Sequence, residues 1–207
     1  MGFDACRRVV AGGLTGHLDP LDVFCFRQSA GRDVLKLIRA LCAALLAAIF
    51  PTAASAGELF GGLHVHDVKT PLDKSGIEDG VDFSLGYRGG RIFGTFLQPY
   101  VFGALNSAGN TNYAAVGLSG RFGLGHGWYI RPGVGIAIHD GSAGKFYRTD
   151  KIAFGSRVLF EPELGIGAQV NRRVSIEASW VHMSHAQLEG RENPGIDNLG
   201  FRVNLKL

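Results

Sequence analysis

From residue 57 onward the chain alternates apolar and polar side chains in short runs divided by turn residues. The runs are Leu59 to Asp67, Val81 to Arg88, Thr95 to Leu105, Tyr113 to Phe122, Trp128 to His139, Ile152 to Phe160, Glu163 to Val170, Val174 to Ser184 and Leu199 to Leu207. Breaks fall at Lys74-Ser75-Gly76, Gly89-Gly90, Ser107 to Thr111, Gly125 to Gly127, Asp140-Gly141 and Asn171-Arg172, residue types that punctuate strands. A period of two sends successive side chains to opposite faces, so each run predicts a strand with one apolar and one polar face. Glu161-Pro162 interrupts an otherwise continuous pattern, so some neighbouring runs are expected to form one bent strand, and eight strands is the natural count. Residues 57 to 207 then supply about 19 residues per strand, room for about 9 to 11 in the strand plus a turn.

No apolar stretch after Gly57 approaches the roughly 20 residues of a helical membrane span, and no 3.6-residue period is sustained. Ahead of it, residues 34–56 have the three parts of a secretory signal. Lys36 and Arg39 lead, an apolar run follows from Ala40 to Phe50, and Ala54-Ser55-Ala56 precedes Gly57. That run is too short to anchor, so cleavage is expected, with residues 57–207 as the mature protein. Residues 1–33 lie upstream of a signal that should itself be N-terminal; they read as a mis-assigned start or a leader, with Val34 a candidate initiator.

Composition sharpens the class. The chain has 207 residues, 31 of them glycine, with 46% hydrophobic and 19% charged, unlike a helical bundle or a disordered chain. Cys6, Cys25 and Cys42 all precede Gly57, so a processed chain has no disulfide, thiol nucleophile or Cys-ligated zinc. Residues 57–207 carry 15 Lys+Arg against 14 Asp+Glu, a net of about +1, and no basic stripe points to nucleic acid. An exported, cysteine-free, glycine- and aromatic-rich chain with this pattern suggests an all-β fold, an eight-stranded antiparallel transmembrane β-barrel in the bacterial outer membrane. A soluble periplasmic barrel shares the pattern and is the alternative.

The last two strands carry the candidate chemistry. In the run from Ser175 to Ser184, Ile176, Ala178, Trp180, His182 and Ser184 share one face, and Ser175, Glu177 and Ser179 the other. A small membrane barrel is polar inside and apolar outside, which places His182 and Ser184 on the outer wall. In the closing strand Arg202, Asn204 and Lys206 point inward, while Leu199, Phe201, Val203, Leu205 and Leu207 point outward. The same parity puts Asp197 outward if the strand is regular there. Serine needs an adjacent base to become nucleophilic, imidazole can take its proton near neutral pH, and a carboxylate orients the imidazole. The spacing alone is weakly specific, because alternation often fails at a strand's rim and two polar residues there need no chemistry.

The segment His182-Met183-Ser184-His185-Ala186-Gln187-Leu188, followed by Asn193-Pro194-Gly195-Ile196-Asp197 and a closing strand, resembles the C-terminal signature of the lipid A 3-O-deacylases, the PagL-like acyloxyacyl hydrolase family. The resemblance covers about the last 30 residues. It implies an eight-stranded outer-membrane barrel that hydrolyses the ester-linked acyl chain at position 3 of lipid A without a cofactor. It also implies His182 and Ser184 as base and nucleophile, Asp197 as the acid, and Asn193, with Gly195 in the same loop, near the oxyanion donors. Three departures stand out. Aspartate replaces the glutamate of the best-known member, so a shorter side chain must reach the imidazole. His185 stands where asparagine is more usual, and the chain ends in Leu207 where such barrels commonly end in an aromatic.

Other groups have plainer readings. His64 and His66 share a face and could serve zinc, but no third ligand is evident and a polar lumen explains them equally well, so no metal is expected. Trp128, Tyr129, Tyr100 and Tyr113 could mark an aromatic girdle or simply follow strand propensity. Glu161, Glu163 and Glu177 are expected to pair with inward arginines such as Arg157, Arg173 and Arg202. The expected partners are lipid A and outer-membrane lipids. A homodimer is compatible with the chain, though no interface signature is visible. The competing functions are a non-enzymatic structural or adhesive barrel and a phospholipid esterase.

Overall fold

The alternating runs become nine strands: β1 Glu58–Val65, β2 Val81–Arg88, β3 Leu97–Asn106, β4 Tyr113–Gly120, β5 Phe122–Gly125, β6 Trp128–His139, β7 Val158–Gln169, β8 Val174–Met183 and β9 Ile196–Lys206. They come from a computed structural model that describes residues 57–70, 77–144, 152–186 and 195–207. The expected leader at 1–33, the signal at 34–56 and Asn193 lie outside the described residues.

All nine take part in one closed cylinder, which has eight strands around its wall. β4 and β5 are two halves of one strand, pairing in succession with the upper and lower parts of β6. Every neighbouring pair is antiparallel, and the ring closes between β1 and β9, from Glu58↔Lys206 to Val65↔Leu199. At the tip of the β5–β6 hairpin His126 and Gly127 both have positive φ, 50° and 82°, the geometry that suits a two-residue turn between twisted strands. At one end the chain joins strands through 66–80, 140–157 and 184–195; the other end has short turns such as 126–127 and 170–173. Outer-membrane barrels keep their long loops outside the cell, which orients this one.

The single strand expected across Glu161-Pro162 is β7, which runs through both residues with Pro162 paired to Val134. One difference from the sequence reading has a physical cause. The segment expected to begin at Ile152 starts as strand only at Val158, because Ile152, Ala153 and Phe154 are buried consecutively and have no two-residue period. Instead Ala153 bridges Ser142, and Ile152 and Phe154 join an apolar cluster with Leu159, Met183 and Ile196.

The barrel is apolar outside and polar over much of its inside. Phe201 is 73% exposed and its neighbour Arg202 1%, an arrangement that is stable only where the outer wall meets lipid. Inside, Arg202 donates to Glu163 at 2.6 Å, and Arg88 to Glu58 at 2.7 Å and Glu163 at 3.2 Å. Arg131 pairs with Glu58 and Glu177. Glycine makes room for these acids: a Cβ on Gly165 would stand 2.5 Å from the Glu177 carboxyl. Of the arginines expected here only Arg202 takes part. Arg173 is exposed in a turn, and Arg157 donates to the carbonyls of His139 and Gly141. Tyr100, Tyr113 and Tyr129 are buried in the lumen, so of the four expected girdle residues only Trp128 faces outward. Parity decides this: Tyr129 follows Trp128 directly and takes the opposite face.

At the outer rim a buried junction ties three loops together. His66, just past the end of β1, contacts Asp82 through Nδ1 at 2.9 Å and Glu78 through Nε2 at 3.2 Å. Glu78 also accepts the amides of Thr111 and Ile152. Among the described residues neither ring nitrogen of His64 has a hydrogen-bond partner, and no cluster suits a metal ion. Burial lowers the His66 pKa, but the bonds to Asp82 and Glu78 outweigh it and raise it to about 9. Burial raises that of Glu78, yet His66 and the two amides bring it down to about 2. The His66 contribution to stability is therefore complete below its ordinary value of 6.5 and lost as pH rises through about 9. The Glu78 contribution is complete above 4.5 and lost as pH falls through about 2. The urea midpoint of the folded barrel should fall between pH 6 and pH 10, and His66→Gln should flatten that fall. Equal slopes in the two proteins would refute the assignment.

Candidate active site

The β8–β9 register sets His182 directly across from Asp197, with Trp180 across from Leu199. Side chains directly opposite on antiparallel strands have Cβ atoms about 4.5–5.5 Å apart, a span that one short carboxylate and one imidazole can bridge. This is how an aspartate suffices. His182 Nδ1 lies 2.8 Å from Asp197 Oδ1. Because a carboxylate only accepts, Nδ1 carries the hydrogen and Nε2 presents its lone pair. Nε2 is 3.1 Å from Ser184 Oγ, two residues further along the same face. All three predicted residues come together on the outer wall, at the rim end of β8 and β9.

The backbone around them is held on both sides. Phe160 and Ser184 exchange amide bonds at 2.8 and 3.1 Å, extending the β7–β8 ladder past the end of β8. In that register Pro162 stands across from His182, and proline has no amide to offer, so the ladder opens at that position. Behind the wall Met183 and Ile196 are paired and fully buried, a packed floor beneath the site.

Asp197 has outward parity yet no exposure, because other groups cover it. Trp180 Nε1 donates to Oδ1 at 2.8 Å, and Thr70 Oγ1 donates to Oδ2. The first loop is strapped alongside: the Val68 amide donates to the Asp197 carbonyl at 2.7 Å and the Asp67 amide to Asn198 Oδ1 at 3.0 Å. Gly195 lies against the site, where a Cβ would come 2.9 Å from His182 Cε1 and 3.4 Å from Ser184 Cβ. His185 is buried on the other side of the chain from Ser184, beside Gly155. The sequence reading missed Trp180 and Thr70. Trp180 carried a signal, since it shares the face of His182 two residues earlier; Thr70 is 127 residues away from Asp197 and carried none.

Below the site, toward the middle of the wall, lies an open groove of about 410 Å³ lined by Leu164, Ile166, Ala178, Trp180, Leu199 and Phe201. Ala178 pairs with Ile166 on one side and Phe201 on the other, so a small residue forms the floor between two larger walls.

A closed antiparallel cylinder with a lipid-facing wall and a hydroxyl–imidazole–carboxylate row at its outer rim belongs to the class of outer-membrane barrels. A sequence model of the lipid A 3-O-deacylase (PagL) family matches residues 76–206, and the chain belongs to that family. Its place is the bacterial outer membrane. Among solved structures, the crystal structure of the outer membrane enzyme PagL is 17% identical, with a TM-score of 0.49, over 74% of this chain and 100% of that one. A de novo designed transmembrane β-barrel is 9% identical, also at 0.49, over 76% and 100%. Neisserial surface protein A is 14% identical at 0.44 over 73% and 97%. No curated protein sequence matches the chain.

Proposed function

We propose that the protein is a serine esterase that removes the 3-O-linked acyl chain of lipid A, with Ser184 as nucleophile, His182 as base and Asp197 as the residue that orients it. The observation that carries this reading is the unbroken hydrogen-bonded line from Asp197 Oδ1 through His182 to Ser184 Oγ on the lipid-facing wall. His182 Nε2 takes the serine proton as Oγ attacks the ester carbonyl. The carbon–oxygen bond to the sugar then breaks, and the imidazolium returns that proton to the leaving sugar oxygen. Water, deprotonated by the same imidazole, cleaves the acyl-enzyme to free fatty acid and serine. Backbone donors near Gly195 and Asn193 are the candidates for holding the oxyanion. No step asks for a metal or a cofactor. The apolar groove supports an acyl chain as the substrate's reacting arm, lying along Ala178 with its ester at the rim.

Residues 57–207 are proposed as the mature barrel, exported by the signal at 34–56. The refolded full chain, incubated with purified lipid A and separately with glycerophospholipid vesicles, should remove one 3-hydroxyacyl group from lipid A by mass spectrometry and leave the phospholipid intact. Unchanged lipid A mass would support a structural or adhesive barrel, and fatty acid released from phospholipid would favour a phospholipid esterase.

A further inference from the structure

We propose that Trp180 is a positioning residue that fixes the Asp197 carboxylate for His182, assisted from the first loop by Thr70; this rests on the triad reading above. An aspartate's terminal torsion is broad and soft, so a carboxylate held by one imidazole bond alone can turn away from it. Here it is held at both oxygens. Oδ1 accepts the His182 and Trp180 N–H groups, each at 2.8 Å, and Oδ2 accepts the Thr70 hydroxyl. The indole N–H is a donor only, so in this contact it cannot compete for the imidazole hydrogen.

The placement of Trp180 argues for a task beyond packing. An interfacial tryptophan of a membrane protein ordinarily turns its polar edge toward headgroups and water. The Trp180 N–H instead runs along the wall to a carboxylate that has no exposure. Its ring plane lies 26° from the His182 imidazole plane with centroids 5.9 Å apart, so the indole also limits how far the imidazole can swing. A catalytic base must be held within a fraction of an ångström of its working position, and supporting hydrogen bonds are how such positions are kept.

The chain's tryptophan count gives a direct probe. It has two, Trp128 on an exposed strand end and Trp180 at the site. In protein labelled with 15N at the indole and refolded in detergent micelles, two indole N–H resonances are expected. Asp197→Ala should move one of them, the resonance that Trp180→Phe deletes, and leave the other in place. Trp180→Phe keeps an aromatic ring in the groove and removes the donor. It should lower kcat for lipid A deacylation by about tenfold, the worth of one hydrogen bond to a charged group, with KM within twofold. Folded barrel is scored by heat-modifiable mobility. Should Trp180→Phe not fold, Thr70→Val loosens the same carboxylate from outside the wall and should lower kcat with KM unchanged. An indole resonance unmoved by Asp197→Ala overturns the proposal. So does a Trp180→Phe enzyme with wild-type kcat, or with KM raised in step with a lowered kcat. Wild-type activity in Asp197→Ala would instead remove the triad itself, and the proposal with it.

Discussion

Ser184→Ala is expected to lower kcat for lipid A deacylation at least about 10³-fold, with the barrel folded and lipid A still bound. The size follows from chemistry. Alanine leaves the imidazole and carboxylate in place but removes the only atom that can form the acyl-enzyme, and members of such a triad act as a unit. The wall should survive the change. Ser184 is fixed by its backbone bonds to Phe160, and its hydroxyl has one partner among the described residues, His182 Nε2. The readout is single-turnover release of 3-hydroxy fatty acid by mass spectrometry, with heat-modifiable mobility as the control for folding. Release at a rate within tenfold of wild type would show that another group attacks the ester.

The second large effect concerns stability. Glu163→Leu should lower the unfolding free energy by about 3–5 kcal/mol, read as a fall in the urea midpoint of the barrel in lipid vesicles. Glu163 is buried on β7 and accepts from Arg88 and Arg202 at once. Arg88 keeps Glu58, but Glu163 is the one ion-pair partner of Arg202 among the described residues. Leucine would leave the buried Arg202 guanidinium without its ion-pair contact, stacked against Phe60 and Phe102 at 5.1 Å from each ring centroid and left with the longer-range attraction of Glu177 and Glu161. Glu163→Gln keeps an acceptor for Arg202 and should cost less. A midpoint that does not move in Glu163→Leu would mean that water enters the lumen and solvates Arg202.

How much of this was readable beforehand depended on whether the information was local. Alternation is local, so strand faces were legible: Ile176, Ala178, Trp180 and His182 do face outward, and Glu177 and Arg202 do face inward. The His182–Ser184 spacing was legible for the same reason. Register is not local. That Asp197 falls directly across from His182, close enough for a short carboxylate, follows from where β8 and β9 align. Which arginine meets which acid depends on side chains converging across the cylinder, and so Arg88 and Arg131 were missed while Arg157 and Arg173 were wrongly included. Pro162 was legible for the same local reason as the strand faces: the alternation resumes beyond it, one strand was expected across it, and β7 continues with the bond opposite His182 lost.

The account stands on an activated serine at the lipid-facing rim, and its most direct test is chemical. The folded protein in lipid vesicles would be exposed to a long-chain alkyl fluorophosphonate, which reacts with serines activated by a neighbouring base, and the modified residue located by tandem mass spectrometry. The account predicts one adduct, on Ser184, that disappears in His182→Ala. An adduct on a different residue, or none while lipid A is still being deacylated, would contradict it.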